Sequence, residues 1–229
     1  MAEILSIGIL PLLLTLGTYQ IGLVIQKKLK TAIANPVLIS VILVVLFLAI
    51  SGMENQTYQA GMTKFSWLLT PATVCLAIPM YQHLQTLRRN LPAILVGVAA
   101  GAVSCLGMVL LWAMLPGISR ELAISLLPKS ITSAFGVPLC EMAGGIGSVT
   151  TATIILTGII ANILDTGWCK LFRLQDPIAQ GVAFGTSGHV IGTTRATAIS
   201  DLACATASLS LVVAGLLTAV IFPFVVTLL

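Results

Sequence analysis

Leu126–Pro138 reads L-L-P-K-S-I-T-S-A-F-G-V-P. It sets a lysine, three hydroxyls, two prolines and a glycine into a chain that is otherwise compatible with lipid. Backbone polar groups in hydrocarbon must be bonded internally, so non-helical backbone survives there only under a cover of protein or in a water-filled cavity. Pro128 and Pro138 each remove a donor and free a carbonyl upstream. Ser130, Thr132 and Ser133 can bond such carbonyls or offer hydroxyls to a ligand. The stretch therefore reads as a broken helix held at membrane depth.

The rest of the chain supports that setting. Of 229 residues 58% are hydrophobic and only 8% charged, and the mean hydropathy is +1.09. A soluble domain carries about 25% charged residues. Apolar runs long enough to cross a bilayer recur throughout, so residues 1–229 read as one polytopic membrane domain. The net charge of +4 sits in short connectors without interleaved aromatics, which excludes a nucleic-acid surface. Cys75, Cys105, Cys140, Cys169 and Cys204 lack metal-ligand spacing and read as small packing residues. No G-x-S-x-G, H-E-x-x-H or Walker loop occurs, so neither an enzyme nor a metal or cofactor site is expected.

Spans are expected at Ile4–Ile25 (a first span rather than a removable signal), Pro36–Gly52, Phe65–Tyr81, Pro92–Leu115, Ile146–Leu164 and Leu202–Leu229. Three connectors hold seven of the eleven basic residues: Lys27, Lys28 and Lys30; Arg88 and Arg89; Lys170 and Arg173. Placing all three on the cytoplasmic side forces Glu121–Gly145 to enter and leave from one face, as a re-entrant hairpin. Ile178–Ser200, containing G-V-A-F-G-T-S-G-H-V-I-G-T-T-R-A, is the other interrupted segment and would dip from the opposite face. A shift of 57 residues lays Ser130 on Ser187, Thr132 on His189 and Gly158 on Gly215. The expected fold is an all-α integral membrane protein with about six spanning helices, two broken or re-entrant hairpins and a transporter-like inverted repeat.

Cations near the bilayer centre cost about 2.5–3.5 kcal/mol on insertion scales and usually face a cavity or a partner. Lys129 and Arg195 therefore point to anion recognition, Arg195 as a bidentate clamp and Lys129 as a point charge. His189 can couple to protons, and a coupling proton or sodium ion is the expected co-substrate. The candidate substrate-binding set is Lys129, Ser130, Thr132, Ser133, Ser187, His189, Thr193, Thr194 and Arg195, supported by Thr70, Pro71, Thr73, Glu141 and Asp201. The structural alternatives are a Lys129–Glu141 and an Arg195–Asp201 ion pair, a hydrogen-bonded core His189, and a kinked helix from Thr70-Pro71 to Pro79. Gly144-Gly145-Ile146-Gly147 reads as a tight hairpin exit.

At these motifs the chain resembles the LrgB/CidB family of bacterial membrane proteins. The likeness runs from N-P-V-L-I at Asn35 to the C-terminus. It is carried by T-P-A-T-V-C-L-A-I-P at Thr70–Pro79, L-L-P-K-S-I-T at Leu126–Thr132, and G-T-S-G-H-V-I-G-T-T-R-A at Gly185–Ala196. Two motifs depart from the family pattern: Gly147 stands where G-G-I-P is usual, and Thr186-Ser187-Gly188-His189 replaces T-A-S-H. The resemblance implies a multi-pass protein of the bacterial inner membrane. It implies either an antiholin-like regulator of murein hydrolases and autolysis working with an LrgA/CidA-like partner, or a carrier. A plastid relative resembles a glycolate/glycerate translocator, and some bacterial members are linked to pyruvate uptake. The residues themselves favour a small carboxylate anion as ligand and alternating access as mechanism. The plain apolar character of the first two spans suits a homodimer face.

Overall fold

The computed structural model describes residues 2–29 and 35–229, so Lys30 of the first basic connector lies outside the described residues. Every regular element described is helical. Two compact units divide at Cys75 and Leu76.

The first unit contains α1 (Ala2–Leu29), α2 (Pro36–Ser51), α3 (Asn55–Ser66) and α4 (Leu69–Cys75). Asn35 starts α2 by accepting from the Val37 N–H at 2.9 Å, with Pro36 in the first turn. Gly52, at φ 65°, ends it. Thr18 and Ser40 hydroxyls meet at 2.9 Å between α1 and α2. Thr15 and the Tyr58 hydroxyl, 2.7 Å apart, tie α1 to α3.

The second unit holds α5 (Ala77–Gln82), α6 (Leu84–Ala113), α7 (Arg120–Leu126), a 3₁₀ turn (Leu127–Ser130), α8 (Ser133–Met142), α9 (Gly147–Leu171), α10 (Pro177–Thr197) and α11 (Asp201–Val226). Side-chain caps open α7, α10 and α11: Ser119 to Leu122 N–H, Asp176 to Ile178 and Ala179 N–H, and Ser200 to Ala203 N–H. Near one end, Leu106 and Val109 of α6 pack with Ile124, Leu127, Phe222 and Val225. Near the other, Cys169, Phe184, Ala196, Ala203 and Ala207 form a second cluster. Helices α6 and α11 thus run one way through this unit and α9 returns.

Among the described residues four helices are long and apolar enough to cross a membrane: Ile9–Leu29, Leu84–Ala113, Gly147–Leu171 and Asp201–Val226. The other two expected spans differ. Pro36–Ser51 has 16 residues, about 24 Å of helix. Phe65–Tyr81 is no single span: it divides between the end of α3, α4 and α5. Pro71 falls in the first turn of α4 and Pro79 in that of α5, where a missing N–H is harmless and each can begin a new helix.

Both interrupted segments fold as hairpins. In the first, α7 and the 3₁₀ turn lead to extended backbone at Ile131 and Thr132, after which α8 returns. Ser125 of α7 then meets the far end: its Oγ accepts the Ile146 N–H at 2.7 Å, and its carbonyl accepts from Thr150 Oγ1 at 2.8 Å. The exit closes by a Schellman motif. Gly144 adopts φ 83°, and the Gly145 N–H donates to the Cys140 carbonyl at 2.9 Å. Gly147 occupies the first turn of α9, where proline also fits. A Cβ on Gly147 would require the flexible Glu141 side chain to swing aside.

In the second hairpin the break is one residue. His189 takes φ 47° and ψ −129°, the geometry of the first central residue of a type II′ turn, a place glycine ordinarily fills. The arm before it lies on α11, where Gly185 abuts the Ala207 backbone. The arm after it folds back, so that Gly192 abuts Phe184.

Helix α9 connects the two mouths. Its first turn carries Ile146 and Thr150, bonded to Ser125 of the first hairpin. Its far end leads through Arg173 and Leu174 into α10. With 25 residues it is about 37 Å long. The hairpins therefore enter from opposite ends of one span, as the charge pattern requires.

Candidate anion site at the hairpin tips

The first tip is the turn holding Pro128, Lys129 and Ser130, packed among α6, α9, α10 and α11. Pro128 leaves helical geometry at ψ 18°, turning the chain so that Lys129 and Ser130 both reach Cys105 of α6. The Lys129 Nζ donates to Cys105 Sγ at 3.4 Å, and the Cys105 thiol donates to Ser130 Oγ at 2.9 Å. Glu141 is exposed and folded over Gly147. The Lys129–Glu141 ion pair is not formed.

The second tip is His189, 3% exposed. Its imidazole hydrogen-bonds the Lys129 backbone and lies within reach of the Lys129 charge. Its Nε2 is buried without a partner. Lys129, Ser130 and His189, expected to share one site, are brought together. Gly158 of α9 lies beside the ring: a Cβ there would stand 3.4 Å from His189 Nδ1 and 3.0 Å from the Ile191 side chain. Asn162, one turn on, donates to the Ile191 carbonyl freed by the break, at 3.0 Å.

The remaining candidates divide. Thr193 and Thr194 are occupied locally, donating to the Val190 and Ile191 carbonyls at 2.7 Å each, and Thr194 is exposed. They satisfy the broken backbone. Ser133 is exposed and Thr132 half-buried at the start of α8, where the Thr132 side chain makes no capping bond. Ser187 donates to the Ala183 carbonyl at 2.7 Å and reaches Asp165 at 3.4 Å. Asp201 is exposed in the first turn of α11. Thr70, Pro71 and Thr73 belong to the first unit, exposed, with Thr73 bonded to the Thr70 carbonyl.

Three polar partners were not among the candidates: Cys105, Asn162 and Asp165. Asp165 corrects the reading of Ile146–Leu164 as a uniformly apolar span, because α9 continues to Leu171 and carries this acid inside it, 7% exposed. Nothing at Leu164 breaks a helix; the apolar run merely stops there. Arg195 of α10 is close enough for its charge to act on Asp165.

Two cavities are lined by the candidate cations, one by Lys129 and one by Arg195. One, of about 490 Å³, is lined by Met108, Val109, Trp112, Leu126, Lys129 and Thr157. The other, of about 410 Å³, lies toward the opposite end, among Lys170, Arg173, Gln180, Phe184 and Arg195. The packing around Cys105, Ser130, Ile131 and Thr186 leaves a void of only about 10 Å³. Lys129 thus lines the first cavity and Arg195 the second. Such an arrangement can hold an anion by charge and hydroxyl donors while shutting it off from one face.

No solved structure matches the chain. The model of the LrgB-like family matches residues 15–228, nearly its whole length and across both units. This multi-pass membrane protein, with its paired hairpins, belongs to the LrgB-like family.

Proposed function

We propose that the protein is a secondary transporter of small monocarboxylates of the glycolate, glycerate, lactate or pyruvate type, working by alternating access. One observation carries this reading: two hairpins entering from opposite ends of α9 meet at Lys129 and His189, with one cavity lined by Lys129 and another by Arg195. Interrupted helices at a midplane site are the device by which transporters present unbonded backbone and charge to a solute. A monocarboxylate matches one lysine charge flanked by hydroxyl and imidazole groups. Rocking either hairpin against α9 opens the site to one side while the other stays shut. By the positive-inside tendency, Arg88 and Arg89 of α6, Lys170 in the last turn of α9 and Arg173 just after it, all toward one end, make that end cytoplasmic in a bacterial inner membrane.

Reconstituted protein should take up labelled glycolate or pyruvate, and excess unlabelled carboxylate should compete. Absence of uptake of every small carboxylate, under proton and sodium gradients alike, would sink the reading. The regulatory alternative, an antiholin-like action through an LrgA/CidA-like partner, rests on family resemblance. It predicts an autolysis phenotype that survives Lys129→Gln, whereas transport does not.

A further inference from the structure

Ser187 and Asp165 face each other in a way that hydrogen bonding does not explain. The single proton of the Ser187 hydroxyl goes to the Ala183 carbonyl at 2.7 Å. Its lone pairs are therefore left for Asp165 Oδ1, 3.4 Å away. That is well beyond the about 2.5–2.7 Å of a hydroxyl bonded to a carboxylate. Asp165 is 7% exposed, and its second oxygen, Oδ2, is buried without a partner. A Cβ on Gly188 would stand 3.8 Å from this Oδ2, 4.0 Å from the Gly158 carbonyl oxygen and 3.7 Å from Ala161 Cβ. The glycine thus leaves a methyl-sized space bordered by oxygens. The first arm of α10, residues 177–188, also ends here, at the break on His189. The last carbonyls of a helix lack an N–H ahead of them and carry its partial negative charge.

We propose that these oxygens form a binding site for one sodium ion, with Asp165 as the charged ligand, Ser187 Oγ as a neutral one, and the carbonyl end of the arm before His189 completing it. Lone pairs turned toward a buried carboxylate repel it unless a cation lies between them. Oxygen sits about 2.3–2.6 Å from calcium, a cation of sodium's size, so two ligands at right angles stand about 3.3–3.7 Å apart. Ser187 Oγ and Asp165 Oδ1 keep that separation. One carboxylate among neutral oxygens matches a single positive charge, whereas a divalent ion would leave charge buried and unpaired. Carbonyl ends of interrupted helices are also where membrane carriers hold sodium.

The other charged and titratable groups around this space are Arg195 and Cys169 on one side and His189 with Lys129 on the other. Lys129 and Arg195 bring two positive charges and Asp165 one negative. A sodium ion at Asp165 and a carboxylate at Lys129 add one charge of each sign. Loading both leaves the sum unchanged, while an anion alone would shift it within the hydrocarbon, where charge is costly. One ion and one anion therefore cross together. This coupling rests on the carboxylate-transport reading; the ion site itself does not.

The test uses the full chain in detergent at fixed pH and without carboxylate. It reads bound radioactive sodium, and the melting midpoint in sodium, potassium or choline chloride at one ionic strength. Wild type should bind about one sodium ion per chain and melt later in sodium than in the other two salts. Asp165→Asn should bind at least tenfold more weakly. In Gly188→Ala the added Cβ meets nothing closer than 3.7 Å, so this variant should melt like wild type in choline and still bind at least tenfold more weakly. It decides the matter should Asp165→Asn fail to fold. No sodium bound by wild type, or sodium retained by both variants, overturns the site. So does a midpoint that follows pH and ignores sodium, which would make Asp165 a protonated core residue. In proteoliposomes an inward sodium gradient should then drive accumulation of labelled glycolate or pyruvate. If wild type binds sodium through Asp165 and moves no carboxylate, the transport reading falls and the ion site stands.

Discussion

Gly192 lies against the carbonyl oxygen of Phe184, eight residues earlier in the same helical element. In an unbroken helix that separation is about 12 Å along the axis, so the contact exists only because the chain reverses at His189. A Cβ on Gly192 would collide with backbone, which cannot yield as a side chain can. Gly192→Ala should destabilise the protein by about 1–3 kcal/mol, read as a lowered melting midpoint in detergent. Gly107→Ala, with open space around it, should leave the midpoint unchanged.

His189 combines a glycine-like backbone with a buried ring, and two substitutions separate these roles. A non-glycine residue in such a conformation stores about 1–3 kcal/mol. His189→Gly should relieve that strain, keep the protein folded and abolish carboxylate uptake. His189→Ala keeps the strain without the bond to the Lys129 backbone, and should both melt earlier and fail to transport. Equal melting of the two variants would remove the argument for strain.

Lys129 and Ser130 meet at one thiol. In a chain whose other four cysteines are replaced, Cys105 should react with a small cationic methanethiosulfonate far more slowly when saturating glycolate is present. Cys105→Ser should transport normally, because a hydroxyl can accept from Lys129 and donate to Ser130. Lys129→Gln should lower uptake by at least tenfold, a loss of about 1.4 kcal/mol or more. Labelling rates indifferent to carboxylate would place the anion elsewhere.

Ser125 closes the mouth of the first hairpin through a buried hydroxyl. Its replacement by alanine strands the Ile146 N–H, a cost of about 1–3 kcal/mol. Ser125→Ala should therefore lower the melting midpoint and expose the hairpin exit to protease, seen as a new cut near Gly144-Gly145. An unchanged digestion pattern would argue against the hydroxyl as the clasp.

Much of the architecture was legible from prolines, glycines and charge. Pro128, Pro138 and the glycines around His189 mark positions where helix cannot continue in lipid, and the basic connectors then leave only re-entrant paths. Tertiary use of single residues was not legible. Cys105 looks like a packing residue until the fold sets it beside Lys129, 24 positions away. Thr193 and Thr194 look like ligand donors, yet their hydroxyls serve carbonyls released by the break. Asp165 went unnoticed because hydropathy marks where an apolar run ends, not where its helix ends. The Thr70–Pro79 motif has span-like composition, and only helix-starting prolines at two positions betray the division.

The meeting of the two tips also constrains how the protein is made. Lys129 leaves the ribosome about sixty residues before the histidine that covers it. Until α10 and α11 follow, the first hairpin is a polar wedge with no finished shelter, supported only by α6 and α9. The tip contacts are therefore among the late events of biogenesis, since native pairs far apart in sequence form slowly. A chain stalled or truncated before Asp201 carries an uncovered lysine at membrane depth, a feature by which membrane quality control can tell an unfinished copy from a finished one.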